Sequence, residues 1–236
     1  MIDFHNHIIP NVDDGPKEIE ESISMLKFAI DQGIEEVITT IHYQHPKFVK
    51  KNLTWDTAKL HLELIQKKIG DQIKLHLGAE VFYMPNLLDI KSEKLTVFGH
   101  GKYMLIEFYP FQLAANFENI FYELKLSGTT PIFAHPERNK IIQRDINILE
   151  KLIFSGTLIQ IDAGSILGQF GKKSKEIALL LLKKNMCHFI GSDAHNNKRR
   201  NFCLADAVDV LKPIIGDQIH ILVEENPKKL ISALEI

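Results

Sequence analysis

Cysteine is nearly absent from this 236-residue chain: Cys187 and Cys203 are the only two. They do not make the framework of bridges that holds small secreted domains together. Long apolar runs are missing too, and none approaches the roughly 20 residues that span a bilayer. Neither sign of charge is in excess, with Lys+Arg 28 against Asp+Glu 30. There is accordingly no basic surplus to attract nucleic acid and no acidic tail to suggest disorder. The opening Met1-Ile2-Asp3-Phe4-His5 enters a strand pattern at once, which leaves no room for a charged and apolar leader. The expectation is a cytoplasmic protein without membrane insertion. No internal repeat, low-complexity segment or linker rich in Gly, Ser or Pro divides the chain, so residues 1–236 are read as a single domain.

What is present is a regular alternation. Hydrophobic residues make up 45% of the chain, enough for a sizeable core. Strand patterns fall near 2–5, 36–41, 73–80, 103–108, 131–134, 157–162 and 188–192, with a weaker one near 219–223. Helical patterns fall near 16–32, 53–69, 113–127, 145–155, 173–185, 201–212 and 227–235. In the first of these, Ile19, Ile23, Leu26 and Ile30 repeat at helical spacing. Pro16 suits its first turn and Gly33 the position just past its end, while Asn226 and Pro227 suit the start of the last helix. The stretch 84–102 supports no confident helix. Strands separated by helices imply a parallel sheet. Seven or eight such units fit a closed α/β barrel; an open doubly wound sheet would gather its ligands at one switch point.

The strand ends favour the barrel. His5 with His7, His42, Glu80, Glu107, His135, and Asp193 with His195 each follow a short apolar run. At the carboxyl face of a barrel, residues so scattered converge. Histidine, aspartate and glutamate together suit divalent Mn, Fe or Zn. His5 and His7, two apart on a strand, project to one side. A carboxylate at the end of an apolar strand, as at Glu80 or Glu107, is costly to bury unless it is paired or bound to metal. Asp13 and Asp14 both precede a helix, where an Asp ordinarily caps; spacing does not choose which would complete a metal shell. His45 reads as a loop residue behind His42. Asp162 fits a cap or hydrogen-bond partner equally well. Arg138, three after His135, and Arg199 and Arg200, following His195, offer forks that match phosphate oxygens, so an anionic, phosphate-like substrate is expected.

Several segments in order also resemble a known family. His5-Asn6-His7, Val12-Asp13-Asp14-Gly15-Pro16, Glu21-Ser22 with Met25 and Gly33, His135-Pro136-Glu137-Arg138 and Ser192-Asp193-Ala194-His195-Asn196 look like the bacterial PHP-domain protein-tyrosine phosphatases of capsular and exopolysaccharide operons. The likeness runs from the first strand to Asn226-Pro227. It implies a distorted (β/α)7 TIM-like barrel, the PHP fold, with three divalent metal ions, usually manganese or iron. The ligands it implies are His5, His7, Asp14, His42, Glu80, Glu107, His135, Asp193 and His195, with Arg138 and Arg200 near the phosphate. The implied substrate is phosphotyrosine on the tail of a partner polysaccharide tyrosine kinase. The chain departs from the family in having Ile41-His42-Tyr43 where Pro-His-His is common, in Asp162, and across 84–116.

The expected chemistry is phosphomonoester hydrolysis by a metal-activated hydroxide, with His42 or His195 able to protonate a poorer leaving group if not metal-bound throughout. A cysteine phosphatase would need an arginine six residues after its thiolate; Asp193 and Asp209 stand there instead. Manganese is the first expectation for the three ions, with Fe, Zn or Mg possible; the alternatives in function are a phosphatase of a small phosphomonoester such as histidinol phosphate and a non-catalytic binding module.

Overall fold

Each of the first seven apolar runs forms a strand. In the computed structural model, which describes residues 1–48 and 53–236, they pair in parallel in chain order. They are β1 (Ile2–Asn6), β2 (Glu36–Tyr43), β3 (Lys74–Phe82), β4 (Tyr103–Glu107), β5 (Thr130–Ala134), β6 (Leu158–Asp162) and β7 (Phe189–Gly191). The sheet curls until its ends meet. Just beyond β7, Asp193 N donates to His5 O at 2.7 Å, and His7 N donates to Ala194 O at 2.8 Å. Because this seam is made by a single bridge, Asn6 to Ala194, the barrel is the distorted seven-stranded one expected.

The helices among the described residues are α1 (Ile19–Asp31), α2 (Trp55–Ile69), α3 (Leu87–Ile90), α4 (Phe117–Leu126), α5 (Asn147–Phe154), α6 (Ala163–Leu167), α7 (Lys172–Lys183), α8 (Leu204–Ile215), α9 (Gln218–His220) and α10 (Asn226–Ile231). None is long and apolar enough to cross a membrane. Helix α1 turns Met25, Leu26 and Ala29 fully inward, with Ile19, Ile23 and Ile30 at the margins of the buried stripe. Gly33, at φ 75°, ends it as anticipated.

Three local expectations are corrected. The weak strand near 219–223 is helical: α9 runs through a π-helical stretch, Ile221–Glu225, into α10. Its strand-like composition misleads, because the buried residues Ile219, Leu222 and Val223 are spaced for a helix. Pro16 lies before the first helix, which starts at Ile19. Asn226 caps nothing, since the chain enters α10 already helical; its side-chain amide donates instead to His188 O at 2.9 Å. The unassigned stretch 84–102 holds α3 and a short 3-10 turn, Lys94–Val97.

Two apolar layers hold the site in place. Between strands and helices lies the larger core, with Met25, Leu26, Ile65, Ile106 and Leu181 among its members. Inside the barrel a smaller plug contains Ile2, Phe4, Ile38, Phe98, Leu105, Ile132 and Phe189, with the Phe4 and Phe189 rings stacked 4.2 Å apart. Strand alternation then fixes what stands above the plug. Ile38, Leu105, Leu158 and Phe189 face inward, so Thr40 and His42, Glu107, Gln160 and Asp162, and Asp193 rise over the same interior. On β1 the register slips between Asp3 and Asn6, three steps against two on β2. That slip reverses the facing side, turning His5 and His7 inward above Ile2 and Phe4.

Candidate metal centre

The inward ends of the strands meet above the plug, and the nine residues put forward as ligands lie in one connected cluster. His5 Nε2 and His7 Nε2 are 3.3 Å apart. Glu80 Oε2 lies 3.3 Å from the first and 3.4 Å from the second, and Asp193 Oδ1 lies 3.6 and 3.4 Å from them. A second group forms around Asp14, whose Oδ1 is 3.4 Å from His42 Nε2 and 3.2 Å from His195 Nε2. Glu80 Oε2 and Glu107 Oε1 flank His42 Nδ1 at 3.2 and 2.9 Å. His135 Nε2 closes the far side on Glu80 Oε1 at 2.7 Å. Three sets of groups thus converge closely enough to hold an ion each: His5, His7, Glu80 and Asp193; His7, Asp14, His42 and His195; and His42, Glu80 and Glu107.

The donor chemistry fits metal ions. His42 Nδ1, Glu107 Oε1 and Asp193 Oδ1 are buried and have no hydrogen-bond partner. His42 Nδ1 and Glu107 Oε1 lie 2.9 Å apart without meeting hydrogen-bond geometry. Buried polar atoms are rarely left so, and lone pairs converging on shared points are what coordination needs. The electrostatics are tightly coupled. Burial opposes charge on His42, but Glu80 and Glu107 outweigh it and draw its imidazole up to about 10. Burial and the nearby Glu80 raise Glu107 to about 7. Burial, reinforced by Arg138, holds His135 down at about 4.

Local backbone aims these groups. His135 and Asp193 occupy left-handed conformations, φ 34° and 50°, which side chains other than glycine seldom adopt. Such strain gathers at functional sites. At His135, which follows the inward-facing Ile132 and Ala134, it turns the side chain out of the strand alternation and over the mouth; Asp193 already stands on the inward side. Asp13 and Asp14 separate cleanly. Asp14 presents its carboxylate to His42 and His195, whereas Asp13 is buried behind His7, its Oδ2 2.9 Å from Nδ1. His45 stands beside His42, with Nε2 3.9 Å from Glu107 Oε1, and Lys47 N donates to its Nδ1.

The arginines lie on the opposite wall. Arg138 donates to Asp193 Oδ2 at 2.7 Å and to Asp162 Oδ2 at 3.1 Å, and Arg200 donates to Asp193 Oδ2 at 2.5 Å. The Phe170 ring lies under both guanidinium groups, 4.2 Å from Arg138 and 5.9 Å from Arg200. Arg199 is exposed and outside the mouth. Asp162 resolves as both a cap, accepting from Gly164 N at 2.7 Å, and the second carboxylate on Arg138. Gln160 was not anticipated: its Oε1 pairs with His5 Nδ1 at 3.2 Å and accepts from His135 N. The available signal was a lone amide within the apolar run Leu158-Ile159-Gln160-Ile161.

Comparison with known proteins agrees with this geometry. Residues 1–232 match the family model described as capsular polysaccharide synthesis, CpsB/CapC. The chain belongs to the CpsB/CapC family. It is 38% identical over 235 residues to the tyrosine-protein phosphatase YwqE of Bacillus subtilis (strain 168), covering 98% of this chain and 91% of that protein. To the tyrosine-protein phosphatase CpsB of Streptococcus pneumoniae it is 28% identical over 238 residues, covering 98% of each. Among solved structures, a chain from the crystal structures of YwqE from Bacillus subtilis and CpsB from Streptococcus pneumoniae, described as unique metal-dependent tyrosine phosphatases, superposes with a TM-score of 0.89. That match has 35% identity and covers 100% of this chain and 96% of the other. The CpsB/CapC barrel and its inward-facing His, Asp and Glu residues are therefore those of a metal-dependent hydrolase family.

Proposed function

We propose that this CpsB/CapC protein is a metal-dependent phosphatase that hydrolyses phosphotyrosine. The convergence of unpartnered buried lone pairs with two arginines in one mouth carries the reading. The ligands are His5, His7, Asp14, His42, Glu80, Glu107, His135, Asp193 and His195, holding three divalent ions, manganese before iron, zinc or magnesium. Bound divalent ions supply Lewis acidity and bring the pKa of a water down from about 15.7 to about 7.

The chain's own groups do the rest. Arg138 and Arg200, now resting on Asp193 Oδ2, swing a guanidinium edge to the non-bridging phosphate oxygens and take up their charge. Asp162 and Phe170 keep Arg138 at the mouth while it does so. When not ligating metal, His195 and His42, both in reach of Asp14, would be placed to pass a proton to a leaving oxygen. A tyrosyl oxygen, with a pKa of about 10, needs that help less than an alkoxide does. The substrate is a phosphotyrosine protein, the tail of a capsule-synthesis tyrosine kinase, met in the cytoplasm, and residues 1–236 act on it as one domain.

The test pairs metal analysis with a substrate panel. Protein loaded with Mn, Fe or Zn should hydrolyse p-nitrophenyl phosphate and a phosphotyrosine peptide, and lose both activities on chelation. Equal or better turnover of histidinol phosphate would overturn the tyrosine assignment.

A further inference from the structure

The mouth has two unlike walls. Facing the arginines is a group of rings from three different strand ends: Phe48 in the loop after β2, Phe82 closing β3, and Tyr109 just past β4, all lining the same cavity. Phe82 and Tyr109 meet edge to face, centroids 4.6 Å apart at 66°. The His45 ring packs on Phe82 at 5.0 Å and on Phe48 at 5.1 Å. The group thus continues down to His42, itself stacked on Phe48 at 5.3 Å. Phe82 is 6% exposed and Tyr109 40%. Phe82 is the fixed backing, and Tyr109 is the ring with area left to offer.

Tyr109 is also fixed relative to the phosphate-binding side. Asn139, next to Arg138, donates its amide to Tyr109 O at 3.0 Å and to Gln112 O at 3.3 Å. Lys140 N donates to Pro110 O at 2.7 Å. The segment that supplies His135 and Arg138 therefore also pins the loop carrying Tyr109. The cavity measures about 240 Å³, below the roughly 300–1,000 Å³ of pockets that enclose a drug-sized ligand. It has room for one phosphorylated side chain, with the remainder of a protein outside.

We propose that Tyr109, backed by Phe82 and pinned by Asn139, is the specificity-determining residue that seats the aromatic ring of the phosphomonoester. This rests on the phosphotyrosine reading and adds to it the group that tells an aryl ester from an alkyl one. The metal ligands and arginines address only the phosphate, which both esters share. An offset or edge-on contact from Tyr109 touches the ring alone.

The test reads binding without turnover. Phenylphosphonate and methylphosphonate, each a non-hydrolysable phosphate mimic, are titrated calorimetrically into metal-loaded protein. Wild type should bind the phenyl compound more tightly. Tyr109→Ala should weaken phenylphosphonate by about three- to tenfold, the range expected of one aromatic pair, and move methylphosphonate less than twofold. Tyr109→Phe should restore the phenyl preference, and Tyr109→Leu, which keeps bulk without a ring, should not. Equal weakening of both mimics by Tyr109→Ala would make the residue merely structural and overturn the proposal, as would an unchanged affinity for phenylphosphonate. Failure of the underlying reading looks different: wild-type protein that seats phenylphosphonate through Tyr109 but does not turn over phosphotyrosine peptide.

Discussion

Asp13 holds His7 from behind. Its Oδ2 lies 2.9 Å from His7 Nδ1 and also accepts from the backbone N of His42 at 3.1 Å, while Gly15 N donates to its Oδ1. A carboxylate on the far nitrogen of a ligating imidazole fixes its tautomer and direction, and losing such a partner typically costs about 10–100-fold in metal affinity. Asp13→Asn is expected to weaken metal binding within that range and to regain turnover when excess metal is added. Metal titration followed by activity checks it; unchanged affinity would mean that Asp13 only shapes the turn.

Metal removal should be felt by the fold as well as by the activity. Without cations, the carboxylates of Glu80, Glu107 and Asp193 crowd together in a buried space with five imidazoles. A ligand that binds only the folded state stabilises it, by about 2.7 kcal/mol at a hundredfold excess over Kd. Exhaustive chelation is expected to abolish hydrolysis of p-nitrophenyl phosphate and to lower the melting temperature, and Mn should restore both. Activity that survives verified metal removal would refute the mechanism.

Ligands and arginines should fail in different ways. His5→Ala or His135→Ala is expected to abolish turnover and lower metal content with the circular dichroism spectrum unchanged. Arg138→Ala should cost about a hundredfold or more in turnover, the scale for losing one preorganised donor, with much less loss of metal. Arg138→Lys should recover little, since a lysine cannot reproduce the planar fork. Metal analysis beside kcat for the three alanine variants separates the roles. Equal metal loss in all of them would show that Arg138 acts through the cluster.

The barrel was legible in the sequence because one physical pattern repeats: an apolar run ending on a ligand-type side chain, then a helix. That pattern located all seven strands and brought the strand-end members of the cluster to one rim. What it could not reach depends on relations between strands. The choice of Asp14 over Asp13 follows from where the turn delivers each carboxylate, and both spacings look alike along the chain. Gln160 and Asp162 matter because β6 lies beside His5, Arg138 and Asp193, which are contacts between distant segments. The aromatic wall arises from Phe48, Phe82 and Tyr109 at three separate strand ends, none of which carries a local signature. Residues 219–223 misled because isoleucine, leucine and valine suit strands by composition, while their burial there has a helical period.

Gly191 offers a test of how tightly the seam of the barrel sets the site. A Cβ at this position would lie 2.8 Å from His5 N and 2.6 Å from His5 Cβ, among atoms of a buried strand that cannot swing aside. The backbone of Gly191 is not in the left-handed region, so the demand is for space rather than for conformation. Overpacking of this kind typically costs about 1–3 kcal/mol. Gly191→Ala is expected to lower the urea midpoint by a matching amount with little change in slope. It should also reduce turnover, because the displaced segment is the one that presents His5 and His7 to the cluster. A variant with a wild-type midpoint and wild-type turnover would show that β1 and β7 can separate there without disturbing the ligands, and the close seam would then have no part in positioning them.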